Sequence, residues 1–293
     1  MSERTRILEK FRTINVWKKH GLRAPHKPLL ILYSIGQLLT HKARFISYDE
    51  VDDKLKNLLI EFGPTRKSYH PEFPFYRLQN DGIWHLKNAD NLVLTSSGDA
   101  KKSELLRFNV TGGFSSDIVN HLRNDLELTK EIIQDILEKN FTFSIHEDII
   151  QAVGLDTVIS EFTLKIDQKF KQNILQAYDF NCAVCGLQIK LDNIPIALEA
   201  AHIKWRQAGG PDEVSNGLAL CSLHHKLFAR GAFSFSENYE IIVSHRAKGS
   251  QGFTEWLQNY HGHKLRSPNQ EIYLPQDIYR QWHLKEVFKG YFE

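Results

Sequence analysis

Cysteine is scarce in this sequence. The 293 residues contain three cysteines, and all three lie within residues 182–221. An extracellular disulfide framework would leave one thiol unpaired, and nothing in residues 1–10 resembles a signal peptide. We therefore expect these thiols to bind a metal and not to form the disulfides of a secreted domain.

Long apolar runs are also missing. No apolar stretch approaches the roughly 18 residues that a membrane-spanning helix requires. Hydrophobic residues make up 42% of the chain and charged residues 25%, as in ordinary globular proteins. The length suggests two domains, and we expect a cytoplasmic protein.

An excess of one charge is absent too. The formal net charge is +2 at pH 7, which alone does not indicate a nucleic-acid partner. The charge is unevenly distributed, because residues 1–44 hold ten Lys or Arg against two Glu. This basic end predicts contacts with a phosphate backbone; the alternative is a solvated basic helix without a partner.

The three cysteines belong to two short-range pairs. Cys182 and Cys185 form a C-x2-C pair, and Cys221 and His224 form a C-x2-H pair after an interval of 35 residues. Two such pairs supply four ligands for a tetrahedral zinc ion. Because a closed tetrahedron leaves no position for water, we expect this Zn²⁺ to be structural. The alternative is that the cysteines are only small buried residues.

Local patterns predict a strand, a loop, a second strand and a helix in this segment. One histidine lies at the end of the first strand, and another lies at the start of the helix. Residues 194–203 form a short apolar run that predicts a β-strand ending at His202. Residues 204–216 contain two glycines and a proline and predict a loop, and residues 217–221 predict a second strand. His224 opens a predicted helix.

Three phrases of this segment carry a family resemblance. They are Glu199-Ala-Ala-His202-Ile, Asn216-Gly-Leu-Ala-Leu-Cys221 and His224-His225-Lys-Leu-Phe-Ala-Arg-Gly. Together they resemble the HNH, or ββα-metal, endonuclease family. The resemblance implies that His202 is the general base, that Asn216 fixes the loop and that His225 binds the catalytic cation. The C-x2-H spacing leaves His224 to the zinc.

These residue types suit the hydrolysis of a phosphodiester. The reaction removes a proton from water and builds negative charge on the phosphorus group and the departing 3′ oxygen. A histidine can be neutral and basic at working pH, and a divalent ion can neutralise the developing charge. One imidazole with oxygen ligands suits hard ions, so Mg²⁺ or Mn²⁺ is the expected catalytic cation.

The sequence departs from the family at one position. Many HNH enzymes have an Asp or a His directly before the base histidine as a second metal ligand, where this chain has Ala201. The nearest carboxylate is Glu199, which is a further candidate ligand of the catalytic cation. Side chains alternate along a strand, so Glu199 is expected on the face opposite His202 unless the strand bulges.

The amino-terminal half alternates between helical and extended patterns. Helices are predicted at residues 3–20, 25–40, 49–62, 116–126 and 129–140, a rigid loop at 63–75, and short strands at 75–78, 83–86 and 92–95 around Asn80-Asp81-Gly82. This order is compatible with a winged-helix-like α/β DNA reader. The predicted fold class is therefore α+β, with a DNA-reading domain at 1–155 and a zinc-stapled ββα-metal domain at 156–293, joined within residues 156–167.

Two stretches of this half carry a second resemblance. They are Ala24-Pro-His26-Lys27-Pro-Leu-Leu and Tyr69-His70-Pro71-Glu-Phe-Pro-Phe75-Tyr-Arg77, the latter followed by Asn80-Asp-Gly-Ile-Trp84. They are similar to the sulfur-binding domain of modification-dependent restriction endonucleases. Such enzymes join this domain to an HNH domain and cut DNA that carries phosphorothioate linkages. The resemblance implies double-stranded, phosphorothioated DNA as the partner, and defence in a bacterium or archaeon as the setting.

Recognition of sulfur is expected from the loop at residues 66–75. A non-bridging sulfur is softer and less hydrated than a phosphate oxygen, so proline and aromatic faces desolvate it at low cost. The side chains expected to contact the sulfur or the flanking phosphates are those of Arg23, His26, Lys27, Arg66, Tyr69, His70, Pro71, Phe75 and Arg77. The alternatives are a place in the core for Tyr69 and Phe75 and a role as turn former for Pro71.

Two other functions stay open beside a phosphorothioate-dependent endonuclease. One is an HNH endonuclease that reads a modified base such as methylcytosine. The other is a catalytically inactive DNA-binding protein that keeps zinc for folding. Cleavage of both strands with one active site per chain suggests a homodimer. His283, in a predicted carboxy-terminal helix, is expected to pack rather than to act.

Overall fold

In this computed structural model the chain divides into two compact units, Met1–Phe162 and Thr163–Glu293. The structure describes residues 2–19, 22–156, 168–192 and 194–290. The predicted junction at residues 156–167 lies almost wholly outside the described residues, so the division after residue 155 stays a prediction. In the described ranges, no helix has both the length and the apolar character needed to span a membrane.

The amino-terminal unit is a helical body with one small antiparallel sheet. Its elements are α1 (Glu3–Arg12), β1 (Lys18–Lys19), β2 (Leu22–Arg23), α2 (His26–Thr40), β3 (Phe45–Ser47), α3 (Tyr48–Phe62), α4 (Glu72–Arg77), β4 (Trp84–Lys87), α5 (Lys102–Arg107), β5 (Thr111–Phe114), α6 (Ser116–Asn124), α7 (Leu126–Asn140) and α8 (His146–Ala152). The sheet has the order β3-β5-β4, with β5 antiparallel to both neighbours. Helix α2 packs against α3, α4 and α7.

Local sequence explains how these helices begin. Ser47, Ser115 and Asp125 each stand directly before a helix, and their side chains accept hydrogen bonds from backbone N–H groups of α3, α6 and α7. Helix α2 has no side-chain cap, but every residue from position 28 to position 36 is buried. An apolar surface on all sides is typical of a helix at the centre of a core.

Two secondary-structure predictions in this unit are wrong. The helix predicted over residues 3–20 ends at Arg12, where the Thr13 hydroxyl donates to the Glu9 carbonyl at 2.8 Å. The strand predicted over residues 75–78 is helical, because α4 continues into a 3-10 turn at Leu78–Asp81. Periodicity alone does not distinguish a short apolar strand from a short buried helix.

The hairpin predicted around Asn80-Asp81-Gly82 is also wrong. Strand β4 pairs with β5, which comes much later in the chain, and not with a strand before the turn. Within the predicted strand at residues 92–95, Leu94 makes only an isolated bridge with Ala100. The local sequence pattern does not show which strands pair when the partners are distant along the chain.

Part of the basic end of the chain is paired with carboxylates of the same unit. The cations of α1 form the ion pairs Arg4–Asp125, Arg4–Glu131, Arg6–Asp117, Lys10–Asp117, Arg12–Glu131 and Arg12–Asp135. The acidic partners lie on or next to α6 and α7, against which α1 packs. Surface pairs of this kind stabilise a fold only weakly, but they occupy four cations of the basic end. The charge excess therefore does not by itself mark a DNA surface.

The carboxy-terminal unit is built around one antiparallel strand pair. Its elements are α9 (Gln168–Ala177), β6 (Ile189–Leu191), β7 (Ile194–Ile196), β8 (Leu198–His202), β9 (Gly217–Cys221), α10 (Ser222–Ala229), β10 (Phe233–Phe235), β11 (Ile241–Val243), α11 (Gln251–Trp256) and α12 (Asp277–Glu286). Strands β8 and β9 pair in register from Leu198↔Cys221 to His202↔Gly217. Helices α9 and α10 both pack on this pair. The predicted order of strand, loop, strand and helix is confirmed.

The strand predicted over residues 194–203 is in fact two strands. Ala197 has a φ of 56°, a left-handed conformation that interrupts the extended chain. Strand β7 before it pairs with β6, and β8 after it pairs with β9. The break separates an outer hairpin from the strand that carries His202.

One glycine sets how closely α9 approaches the strand pair. Gly217 lies opposite His202 in the pairing of β8 with β9. A Cβ at this position would stand 2.1 Å from Ile174 Cδ1 and 3.1 Å from Phe170 Cζ. Both side chains belong to α9, so the missing side chain lets α9 lie against the end of β8 that carries His202.

Gly217→Ala is expected to destabilise the carboxy-terminal unit. The added methyl group would overlap Ile174, and overpacking of a tight core costs ~1–3 kcal/mol. Urea unfolding of the full chain measures the loss. Gly252→Ala is the matched control, since a Cβ at this position in α11 meets nothing within 4 Å. Equal stability of the two variants would contradict the close packing of α9.

His283 packs in the core of the carboxy-terminal unit, as predicted. Its side chain is fully buried, and its ring stacks on Phe228 with 3.8 Å between ring centroids. Nε2 donates to the Phe228 carbonyl at 3.1 Å, and Nδ1 lies 3.0 Å from the Ser234 hydroxyl. Burial lowers the pKa of His283 to about 3, although the bond to Phe228 opposes the shift.

The stability of this unit is expected to fall as the pH falls. The pKa of His283 is about 3 in the folded chain and about 6.5 in the unfolded chain, so acid protonates the unfolded state first. The contribution of His283 to the free energy of unfolding is complete above about pH 6.5. As the pH falls below that value, the contribution is lost with a slope of at most ~1.4 kcal/mol per pH unit. Loss of metal in acid also lowers the stability, so the test compares a variant with the wild type. His283→Phe is expected to flatten the slope of unfolding free energy between about pH 6.5 and 5; an unchanged slope would show that His283 is not responsible.

Candidate active site and metal centre

Four side chains form a cluster where β9 meets α10. Cys182 and Cys185 lie in the turn after α9, Cys221 ends β9, and His224 is in the first turn of α10. Their ligand atoms all lie within 4.8 Å of one another. The sulfurs of Cys185 and Cys221 are 4.0 Å apart, and His224 Nδ1 lies 3.1 Å and 3.7 Å from the sulfurs of Cys221 and Cys182.

The cluster has the dimensions of a tetrahedral zinc-type site. Bond lengths of ~2.3 Å to sulfur and ~2.0 Å to nitrogen separate two sulfurs by ~3.8 Å, and sulfur from nitrogen by ~3.5 Å. His224 Nε2 donates to the Trp256 carbonyl at 2.8 Å, which orients the ring and leaves Nδ1 for a metal. Gly186, with a φ of +72°, allows the tight turn after Cys185. Four protein ligands indicate a closed, structural site.

His202 ends β8 and is packed beneath α9. Its ring stacks on Phe170 with 3.9 Å between centroids and 12° between planes. Nε2 donates to Asp212 Oδ1 at 2.8 Å, and Arg206 contacts the other oxygen of Asp212 at 3.2 Å. Nδ1 makes no hydrogen bond within the described ranges. Burial lowers the pKa of His202, and Asp212 opposes that shift.

His225 is in the first turn of α10 and is held from β8 by Glu199. His225 Nδ1 donates to Glu199 Oε2 at 2.5 Å, and Ser222 Oγ donates to Glu199 Oε1 at 2.6 Å. The bond from His225 lowers the pKa of Glu199 to about 2, although partial burial opposes the shift. The ionised carboxylate therefore fixes the ring and leaves Nε2 as the atom that can bind a ligand.

Glu199 reaches His225 without a bulge in β8. The pairing of β8 with β9 is regular along the whole strand, and α10 packs on β8 closely enough for the contact. Among the described residues, no third His, Cys, Asp or Glu completes a metal-binding group with Glu199 and His225. Of the His, Cys, Asp and Glu side chains that the structure describes, His225 and Glu199 are therefore the candidate donors for a second cation, and an imidazole with oxygen ligands suits hard divalent ions.

Asn216 closes the loop between β8 and β9. The residue is fully buried. Its Oδ1 accepts from the Lys204 N–H at 2.8 Å, and its Nδ2 donates to the carbonyls of Lys204 and Pro211 at 3.0 Å and 2.9 Å. Gly210 is required nearby, because a Cβ there would stand 1.8 Å from the Lys204 carbonyl oxygen. The amide thus bridges the loop that carries Asp212.

In the amino-terminal unit, three of the predicted DNA-contacting residues lie together. His26 opens α2; burial, followed by the charges of His70 and Arg66, lowers the pKa of His26 to about 4. His70 Nδ1 donates to Glu72 Oε1, and Nε2 bonds with Ser68 Oγ, both at 2.9 Å. His26, Arg66 and His70 therefore lie close enough for their charges to interact, and the His70 side chain is half exposed.

Tyr69 lies in the loop next to this group. Its hydroxyl accepts from the Arg66 N–H and donates to the Pro64 carbonyl, both at 3.3 Å. The ring is partly buried and not in the core. Tyr69 therefore braces the loop from which Arg66 projects.

Two predicted contact residues are buried and do not form a surface. Phe75 is fully buried, with ring centroids 5.1 Å from Tyr48 and 6.0 Å from Trp84. Pro71 is buried at the position just before α4. The predicted contact of Phe75 with DNA is therefore wrong, because the aromatic ring belongs to the core. Pro71 acts as the turn former that starts α4.

Two predicted phosphate-binding cations are held by carboxylates. Lys27 Nζ lies 2.5 Å from Asp81 in a largely buried pair. Arg77 binds both oxygens of Asp99, each at 2.5 Å. Neither cation therefore offers an uncompensated charge to a phosphate. The sequence does not reveal these pairs, because each carboxylate lies far from its cation along the chain. The Arg23 side chain lies outside the described residues.

Comparison with protein-family models gave two matches. Residues 182–236 match a model of the HNH endonuclease family. Residues 4–158, just over half of the chain, match the model described as ScoMcrA-like, DNA sulfur-binding domain. The chain belongs to this sulfur-binding family. Both resemblances noted in the sequence are confirmed by these matches, and a comparison with curated proteins gave no match.

Several solved structures are similar to this member of the sulfur-binding family. The sulfur-binding domain of ScoMcrA complexed with phosphorothioated DNA is 20% identical, with a TM-score of 0.46 over 52% of this chain and 96% of that chain. The sulfur-binding domain of SprMcrA, also complexed with phosphorothioated DNA, is 18% identical, with a TM-score of 0.47 over 54% and 100%. The matched region covers 33% of the ScoMcrA restriction endonuclease structure.

The site contains three contributors that the sequence patterns did not indicate. Asp212 binds the predicted base, Ser222 binds Glu199, and Phe170 stacks on His202. A search of the loop for a carboxylate partner of His202 would have narrowed the choice to Asp212 and Glu213. Phe170 gives no such signal, because it reaches the site from a helix that precedes both ligand pairs.

The full chain is expected to bind one Zn²⁺ that the fold of the carboxy-terminal unit requires. His224→Gln removes one ligand, and a structural zinc site of this kind contributes ~10 kcal/mol or more to folding. We therefore expect zinc content by elemental analysis to drop sharply and proteolysis to degrade residues 168–290. His245→Gln changes an exposed histidine of the same unit and is expected to retain both zinc and protease resistance. Full zinc content in His224→Gln would contradict the assignment.

Proposed function

We propose that this protein is a modification-dependent restriction endonuclease that binds phosphorothioated DNA and hydrolyses phosphodiester bonds near the sulfur. The observation that carries the proposal is that one chain matches both a DNA sulfur-binding domain and an HNH endonuclease. In this proposal residues 1–155 read the modification and residues 156–293 cut, with His202, Asn216 and His225 as the catalytic group.

Sulfur reading is assigned to the group formed by His26, Arg66, Tyr69 and His70. The His70 ring stacks on Phe73 at 5.2 Å between centroids, and the partly buried His26 has a pKa lowered to about 4. A neutral imidazole and an aromatic face desolvate a weakly hydrated sulfur at lower cost than a strongly hydrated oxygen. Arg66 supplies the positive charge for the phosphate group that carries the sulfur.

His202 is assigned as the general base. Its lowered pKa keeps the ring neutral at physiological pH, so Nδ1 can accept a proton from a water molecule. Phe170 fixes the plane of the ring. Asn216 fixes the loop that runs past it, so the base is aimed before DNA binds.

His225 is assigned as the ligand of the catalytic cation, Mg²⁺ or Mn²⁺, through Nε2. When bound, a divalent cation supplies positive charge against the negative charge that develops on the phosphate and the departing oxygen. Both Glu199 oxygens already accept hydrogen bonds, from His225 and Ser222. We therefore assign Glu199 to positioning His225 and not to direct metal binding. The ion of the four-ligand cluster is assigned as Zn²⁺.

A homodimer stays a prediction. One site of this type cuts one strand, so cleavage of both strands requires two chains or two separate events. The ratio of nicked to linear product from a circular substrate, measured against protein concentration, distinguishes these cases.

The proposed function predicts cleavage that depends on both sulfur and His202. Two duplexes of identical sequence, one with a phosphorothioate linkage and one without, are incubated with the full chain and Mn²⁺ or Mg²⁺. Only the sulfur-containing duplex is expected to be cut. His202→Ala is expected to slow cleavage ~10²- to 10⁴-fold with DNA binding retained, whereas His245→Ala, at an exposed position of the same unit, is expected to cut normally.

Each other outcome points to a different function. Equal cutting of both duplexes would keep the nuclease and remove the sulfur reader. Cutting only of a duplex with methylcytosine would support a reader of a modified base. Binding of the phosphorothioated duplex without cutting would indicate a catalytically inactive DNA-binding protein.

A further inference from the structure

We propose that Asp212 is a positioning residue of the endonuclease site: it holds the His202 ring with the proton on Nε2, so that Nδ1 accepts the proton from water. This inference rests on the nuclease function proposed above. It adds to the site a residue that the HNH pattern does not contain and that acts through His202.

The contact between the two side chains is direct. His202 Nε2 lies 2.8 Å from Asp212 Oδ1. An ionised carboxylate only accepts hydrogen bonds, so Nε2 carries the proton, and Nδ1 of a neutral ring then carries a lone pair. Nδ1 has no hydrogen-bond partner in the part of the chain that the structure describes. The lone pair is therefore available to a water molecule, while the Nε2 proton stays on the ring.

Two neighbours divide the task of orienting this ring. Phe170 stacks on it with 3.9 Å between centroids and 12° between planes, which fixes the plane. A half-turn about the Cβ–Cγ bond would preserve that stack but would place carbon Cε1 where Nε2 meets Asp212. Stacking alone therefore leaves two orientations, and the hydrogen bond to Asp212 selects one of them.

Asp212 is itself held in place. Its Oδ2 lies 3.2 Å from Arg206, so both oxygens are engaged. The residue before it, Pro211, is tied to the buried Asn216 amide through its carbonyl at 2.9 Å. The loop thus presents the carboxylate at a fixed place beside the end of β8.

A simple surface ion pair does not account for this arrangement. Side chains are 60% exposed in Arg206 and 28% exposed in Asp212, and pairs with such exposure contribute little. His202 is 18% exposed, so Asp212 replaces hydration that the ring has lost. Asp212 raises the pKa of His202, whereas burial, Arg206 and His225 lower it. The carboxylate therefore preserves the basicity of a ring that its surroundings would otherwise weaken.

The kinetic test uses Asp212→Asn, which keeps the size of the side chain. The amide can donate to Nε2 and favour the opposite tautomer, so single-turnover cleavage is expected to slow ~10- to 100-fold with DNA binding and thermal stability unchanged. Glu237→Gln makes the same chemical change at an exposed position between β10 and β11 and is expected to cut normally. Normal cutting by Asp212→Asn would overturn the proposal.

A double-mutant cycle separates positioning from a general structural role. If Asp212 acts through His202, then Asp212→Asn adds no further loss in a His202→Ala background. A loss in that background as large as in the wild-type background would show that Asp212 supports the loop and not the base. That result would overturn the proposal.

The ring itself can be observed without catalysis. Long-range ¹H–¹⁵N NMR of the ¹⁵N-labelled full chain reports which nitrogen carries the proton, and the His202 signals are those absent from His202→Gln. The Nε2–H tautomer is expected in the wild type, and a shift towards Nδ1–H is expected in Asp212→Asn. A wild-type Nδ1–H tautomer would overturn the proposal even if the enzyme cuts DNA. A wild type that cuts no duplex would remove the proposed function, and the tautomer would then decide the role of Asp212 by itself.

Discussion

The carboxy-terminal unit depends on the four-ligand cluster of Cys182, Cys185, Cys221 and His224. The cluster ties the turn after α9 to the junction of β9 and α10, and His225 follows His224 directly in the chain. The position from which His225 reaches Glu199 is therefore set by the same ligands that close the fold. A bound structural metal contributes directly to folding, so loss of the metal would disturb the position of His225 without changing His202, Asn216 or His225 themselves.

In the same unit as this cluster, two carboxylates orient two histidine rings in the same way. Asp212 accepts the proton of His202 Nε2, and Glu199 accepts the proton of His225 Nδ1. Each bond fixes a tautomer and leaves the opposite nitrogen for chemistry. The two rings therefore present different nitrogens, Nδ1 of His202 and Nε2 of His225, which fits the separate tasks of proton transfer and cation binding proposed for them.

The sequence predicted those parts of the site that depend on short spacing. Ligands three residues apart, the strands beside them and Asn216 in the loop were all visible as local patterns. Phe75 was misplaced because its ring packs between Tyr48 and Trp84, contacts that no local pattern encodes. Phe170 and Asp212 were missed for a related reason. Each contacts His202 only in the folded chain, and local sequence spacing does not predict such tertiary contacts.

The left-handed residue Ala197 divides the interval between the two ligand pairs into a variable part and a fixed part. Before it stands the β6–β7 hairpin, with Leu191 and Ile194 67% and 69% exposed. After it, β8 runs in strict register with β9 to His202. Insertions or deletions in the hairpin are thus expected to change the distance between Cys185 and Cys221 along the chain without displacing His202 or His225. A search pattern for related nucleases should hold the spacing within each ligand pair and let the interval between them vary.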